Sequence, residues 1–180
     1  QDFIDFLHFL GDEIELKGYQ GFKGDLDVRN GSTGEKSFAT TFNTYDIMYH
    51  VSTLLPYTPR CEQQVNKKRY MGNDVVMIVF KEGDEVIEPS TFCSHFNHVF
   101  VFVKVVKKLD GRVFYAVNVA SKRGVTTHMP GLPDPPVFER CPRFRTWLLS
   151  KCVNGQRASF RAPGFLKSLT RTRLELMNSS

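Results

Sequence analysis

The 180-residue chain is 41% hydrophobic and 24% charged, enough to bury one core and too short to demand a second. It has no run of about 18 apolar residues to cross a bilayer, and Gln1-Asp2-Phe3 lacks the basic start and apolar stretch of a secretion signal. A net charge of +5 hides two unlike halves: residues 1–100 hold 9 Lys/Arg against 15 Asp/Glu, residues 101–180 hold 15 against 4.

The expectation is therefore one soluble, cytoplasmic domain over residues 1–180. Because it opens on Gln1, it reads as a piece cut from a longer protein, whose other regions would govern any recruitment to membranes. The basic second half suits phosphate or an acidic protein surface. No Gly-rich or aromatic RNA-binding motif lies among its basic residues, which from Arg140 onward are spaced like the solvated side of helices. No nucleic-acid partner is expected.

In chain order, Phe3, Ile4, Leu7 and Leu10 fall at helical spacing, and Gly11 stands where a left-handed cap is wanted. Glu13 to Leu16 alternates like a strand. Lys17 to Gly24 is too glycine-rich for either regular element and reads as loop. It is not a phosphate cradle, because Gly24 is followed by Asp25-Leu26-Asp27-Val28 and not by Lys-Ser/Thr and a helix. Ser37–Phe42 and Asp46–Ser52, with Asn43-Thr44 between them, read as a hairpin. Thr58 can cap a helix with Pro59 at its first position, running to about Arg69 and stopped by Gly72. Val75–Phe80 is continuously apolar, as in a strand buried on both faces. Strands follow at Val99–Val106 and Val113–Val119, an extended loop at Pro130–Pro136, a helix around Phe144, Trp147, Leu148 and Lys151, and a last helix from about Gly164 to Met177. The predicted fold class is α/β: a single-domain sandwich with a central mixed β-sheet flanked by helices.

Cys61, Cys93, Cys141 and Cys152 show no CxxC pair, so reduced thiols are expected. Cys93, His95 and His98 are of metal-ligating types, but lie where a helix gives way to a strand. Their side chains should diverge, and no metal site is expected. The neighbours His50 and Ser52, and Ser94 and His95, have no visible triad context, which disfavours a self-contained hydrolase.

The informative junction is Lys67-Lys68-Arg69-Tyr70-Met71-Gly72-Asn73-Asp74. Read on composition, it is a helix end: basic residues complement the helix dipole, Gly72 is a C-cap, and Asn73-Asp74 turn into the strand. Several strings change that reading. They are Asp46 to Thr58, Gln63-Gln64, Lys68 to Val76, Lys17 to Gly24 with Leu26-Asp27, Ser94-His95-Phe96 with His98-Val99-Phe100, Leu132 to Phe138, and Arg171-Thr172-Arg173. In this order and over nearly the whole chain, they resemble the Rap-GAP catalytic domain, nearer to its Rap-directed and signal-induced-proliferation-associated members than to tuberin or the Ral-directed branch.

The resemblance implies a GTPase-activating protein for a GTP-bound small GTPase of the Rap type. In that family an asparagine thumb, here Asn73 by its place in Gly72-Asn73-Asp74, is inserted into the GTPase active site. There it replaces the water-positioning glutamine that Rap proteins lack. The chain would carry no cofactor of its own, with GTP and Mg²⁺ held by the partner. It would be an activator that completes its partner's active site and not an enzyme in itself. Lys68 and Arg69 are assigned by the resemblance to docking or to support of the helix, Arg69 being also the mechanistic rival as an arginine finger. Arg173 is a candidate for the same supporting role, or the solvated face of the last helix. Tyr70 stands where the family usually has histidine, and is expected to pack at the interface as a tolerated substitute. The alternative is a catalytically weak, GTPase-binding scaffold.

Overall fold

A computed structural model describes residues 1–57, 65–83, 87, 94–107, 110–167 and 169–170. The chain divides into two compact units, Gln1–Met71 and Gly72–Ser180.

The first unit opens with α1 (Asp2–Leu10), which turns Phe6, Leu7 and Leu10 inward and places Asp2 and Asp5 in its first turn, where carboxylates offset the helix dipole. Leu7 meets Phe38 and Val51, with Phe3, Tyr49 and Leu54 packed around them. Gly11 does not adopt the left-handed cap read from the sequence; its backbone is extended, at φ −165° and ψ −174°. Close approach requires the glycine instead. A Cβ there would lie 2.5 Å from the carbonyl oxygen of Ala39, where β1 (Asp12–Glu15) comes against β2 (Lys36–Phe42) with Asp12 opposite Ala39.

The predicted hairpin is present. β2 pairs antiparallel with β3 (Tyr45–Tyr49), and Phe42 faces Tyr45 across the turn. Asn43 takes the positive φ of 53° that such a two-residue connection needs. Leu16, Leu26 and Leu55 form a second core, lined by Ile14, Met48, Tyr70 and Met71.

Between β1 and β2, after the glycine-rich segment, residues 27–32 are organised by Asp27. Its carboxylate accepts from the backbone N–H groups of Arg29 (2.9 Å), Asn30 (3.0 Å) and Ser32 (3.0 Å) and from the Ser32 hydroxyl (2.7 Å). Those donors, the Asn30 N–H foremost, hold the carboxyl well below the usual carboxylate range. A folded-state value below the unfolded one contributes stability at neutral pH that is lost as pH falls from about 4 toward the folded value. Denaturant midpoints measured between pH 7 and pH 2 should therefore fall with acidification, and Asp27→Asn should make that fall shallower.

The second unit is built on β4 (Val76–Lys81), β5 (Val99–Lys107), β6 (Val113–Ser121) and β7 (Val137–Glu139), hydrogen-bonded in that order. β4 runs parallel to β5 and the other pairs are antiparallel, so this is the mixed sheet predicted from the sequence. The earlier hairpin forms a separate antiparallel sheet with β1. The strand buried on both faces is β5 and not, as its apolar run suggested, β4. Val99, Phe100, Val101 and Val103 are buried on β5, whereas β4 ends the sheet order and buries only Met77.

Against this sheet lies α3 (Pro142–Ser159), with proline in its first turn. Phe144 stacks on Tyr115 (5.4 Å between centroids) and on Phe138 (4.7 Å), and Trp147 closes on Phe138 at 4.5 Å. Trp147 Nε1–H donates to the Gly131 carbonyl at 2.9 Å and ties down the proline-rich loop. Lys151 is buried, its ammonium donating to the His128 carbonyl at 2.7 Å. Cys141 and Cys152 are unpaired thiols. Burial pushes Cys152 up to about 12, leaving it inert at neutral pH. Cys61 and Cys93 lie outside the described residues. So does most of the predicted last helix, whose start is present as helical residues 163–167 and 169–170.

Candidate functional site

Helix α2 (Val65–Asn73) does not stop at Gly72 as predicted; Asn73 is its last residue. The glycine is not used for a left-handed turn, and a Cβ added there would sit 3.7 Å from Ser94 Oγ, an ordinary contact. The predicted start at Thr58 and Pro59 lies outside the described residues. The division between the two compact units falls at Met71/Gly72, and each side belongs with its own unit.

In the second unit, Asn73 is exposed, and the peptide groups around it are held by the segment leading into β5. Ser94 Oγ–H donates to the Gly72 carbonyl and accepts from the N–H groups of Phe96 (3.1 Å) and Asn97 (3.4 Å). Asn97, only 1% exposed, donates its side-chain amide to the Asp74 carbonyl at 2.6 Å. The N–H groups of His98 and Val99 reach the Val75 carbonyl at 2.8 and 3.2 Å. Lys122 Nζ donates to the Ser94 carbonyl. A helix leaves its last four carbonyls without intrahelical partners; here the Ser94 hydroxyl, from a distant segment, takes up that role for Gly72. The Ser94 hydroxyl is committed to this network. His95 is exposed, while His98 is buried, its Nδ1 2.7 Å from the Phe96 carbonyl and its ring edge-on to Phe165 at 5.1 Å.

In the first unit, Lys68 and Arg69 are exposed and Tyr70 is half-buried. The Tyr70 ring packs with Met71 on Leu16, Leu26 and Leu55 and meets the edge of His50 at 5.7 Å. His50 Nε2 is 2.5 Å from the Gly24 carbonyl. Arg69 lies over the Tyr70 ring at 5.2 Å, with a guanidinium N–H donating to its hydroxyl at 3.4 Å. The Tyr70 ring thus has a packing role inside this unit and a cation resting on it. Arg173 lies outside the described residues.

The sequence reading named Gly72, Asn73 and Asp74 but gave no role to Ser94, Asn97 or Lys122. The available signal was the placement of Ser94 and Asn97, both polar, directly before the apolar run of β5. What the arrangement offers chemically is an exposed carboxamide, able to accept and to donate at once, on a backbone gripped on both sides.

Because Gly72 is helical with room for a Cβ, Gly72→Ala should fold and should raise the unfolding midpoint slightly, helix propensity favouring alanine by about 1 kcal/mol. Thermal denaturation checks this. A large loss of stability would contradict the helical assignment.

The family described as Rap/ran-GAP matches residues 1–174. The GTPase-activating Rap/Ran-GAP domain-like protein 3 of Gallus gallus is 43% identical over 175 residues, 96% of this chain and 19% of that protein. The signal-induced proliferation-associated 1-like protein 1 of Mus musculus is 41% identical over 176 residues, 97% of this chain and 10% of that protein. The chain thus spans less than a fifth of the length of either relative. The solved structure of the TSC2 GAP domain superposes with a TM-score of 0.73 at 28% identity, over 88% of this chain and 83% of that one.

Proposed function

Because the chain belongs to the Rap/ran-GAP family, we propose that it accelerates GTP hydrolysis by a small GTPase of the Rap type, with Asn73 as the residue inserted at the γ-phosphate. The observation that carries this reading is the exposure of Asn73 between two carbonyls, those of Gly72 and Asp74, that are each fixed by a side-chain hydrogen bond.

GTP hydrolysis needs its attacking water held in line with the γ-phosphate. A carboxamide can accept a hydrogen from that water and donate to a phosphate oxygen. Being neutral, it acts by orientation more than by charge. GTP and Mg²⁺ belong to the partner, and the chain completes that partner's site. Lys68 and Arg69, exposed beside the thumb in sequence, serve docking, with Arg173 in a supporting role. Arg69 is disfavoured as a finger because it rests on Tyr70. Among the described residues no helix is long and apolar enough to cross a membrane.

The test is single-turnover GTP hydrolysis by purified Rap, with Ral and Rheb beside it, in the presence and absence of this chain. Acceleration of Rap above the other two is expected. GTP-dependent binding without acceleration of any of the three would assign a scaffold instead, and Tyr70→His would then be the first reversion to make.

A further inference from the structure

The geometry points to Ser94 and Asn97 as positioning residues for Asn73, held in place in turn by Lys122. This inference rests on the reading of Asn73 as the inserted residue. It follows from where that residue sits. The last turn of a helix is the part that frays, since its carbonyls lack partners along the chain. Asn73 is the final residue of α2, and its side chain is exposed. Its placement therefore rests chiefly on the backbone that carries it.

Three carbonyls in the four-residue run from Gly72 to Val75 are gripped from one short segment: Gly72 by the Ser94 hydroxyl, Asp74 by the Asn97 amide, and Val75 by the N–H groups of His98 and Val99. The segment is itself held by further hydrogen bonds. Ser94 Oγ turns the chain by accepting from Phe96 and Asn97, the Ser94 carbonyl is anchored by Lys122, and Asn97 is buried. The Lys122 backbone N–H also reaches the His98 carbonyl at 2.8 Å. The result is a bracket across the helix end, with the reacting side chain standing clear of it. Groups that must reach a reacting centre are placed by such surrounding hydrogen bonds, and a misplacement of about 1 Å can cost about 10²-fold in rate.

Single-turnover Rap hydrolysis, measured against the concentration of the chain, separates the maximal rate from the half-saturating concentration. Ser94→Ala should lower the maximal rate about 10-fold to 10²-fold and leave the half-saturating concentration unchanged. Ser94→Thr, which keeps the hydroxyl, should restore it. The double variant Ser94→Ala/Asn73→Ala should be no slower than Asn73→Ala, since a residue acting only through Asn73 has nothing left to position. Lys122→Gln should show a milder loss of the same kind with the Ser94 hydroxyl still present, and serves in its place if Ser94→Ala does not fold by circular dichroism. A full rate in Ser94→Ala, no rescue by threonine, or a further loss in the double variant would each overturn the bracket. If Asn73→Ala is inactive and Ser94→Ala fully active, only the bracket falls; if Asn73→Ala keeps the full rate, the thumb itself falls.

Discussion

Replacing Asn73 with alanine is expected to slow chain-stimulated GTP hydrolysis about 10²–10³-fold, the loss that follows removal of one well-placed polar group, or roughly 3–4 kcal/mol of barrier. The side chain is exposed, so folding should change little, exposed substitutions commonly costing no more than about 0.5 kcal/mol. The hydrogen bonds that hold the adjoining carbonyls come from Ser94 and Asn97 and do not involve the Asn73 side chain, so the bracket should survive the change. Affinity for the GTP-bound partner should therefore persist while the maximal rate falls, a pattern that removal of a docking contact cannot give. Asn73→Asp separates the two halves of the amide: it keeps an acceptor for the water, loses the donor and brings a negative charge to a phosphate, and should be at least as slow as alanine. Rate and binding measured on the same preparations decide the matter. Full activity in Asn73→Ala would sink the thumb assignment, and Arg69, four residues earlier, would then be the residue to examine.

The largest effect on stability is expected at Phe144. The residue is 1% exposed, and its ring stacks on Tyr115 of β6 and Phe138 of β7, with centroids 5.4 and 4.7 Å away. It therefore joins α3 to two strands of the mixed sheet. Truncation to alanine removes apolar contact with both rings and leaves a hole that rigid neighbours fill poorly, a change that costs about 3–5 kcal/mol. Against a total of about 5–15 kcal/mol for a folded protein, that is a large share. The urea midpoint of Phe144→Ala should fall sharply with little change in slope, and Phe144→Leu, which restores much of the bulk, should lie between. An unchanged midpoint would mean that the stack contributes little to holding α3 on the sheet.

How legible these features were in the sequence depended on how local their causes are. The apolar runs of β4 and β5 and the Asn43-Thr44 turn declare themselves within a few residues, and all three are where periodicity and turn chemistry put them. Gly11 and Gly72 were both read as helix terminators because glycine's commonest use at a helix end is the left-handed cap. One is instead demanded by a carbonyl on a strand distant in sequence, and the other is simply helical. β7 was missed because three residues, Val137–Glu139, are too few to show alternation. The apolar run of β4 suggested burial on both faces, but a strand's place in the sheet order is set by its pairing partners, and among the described residues β4 is the first strand of that order. At the site, Asn73 was singled out by its motif, and its role is a proposal. Ser94 and Asn97 were not singled out, because a side chain that binds a backbone carbonyl needs no particular residue opposite it and so leaves no pairwise pattern to read.

The distance of those contacts along the chain has a kinetic consequence. The Ser94–Gly72 and Asn97–Asp74 bonds join residues 22 and 23 apart in sequence, and they sit at the head of a parallel strand pair, β4 with β5. A helix such as α2 can form within about a microsecond, whereas non-local strand pairing must first bear the entropy of closing a loop and is slower. During refolding, then, the peptide around Asn73 acquires its final geometry only when the sheet closes. Recovery of GTPase stimulation after dilution from denaturant should follow the slow, sheet-forming step and lag behind the return of helical signal.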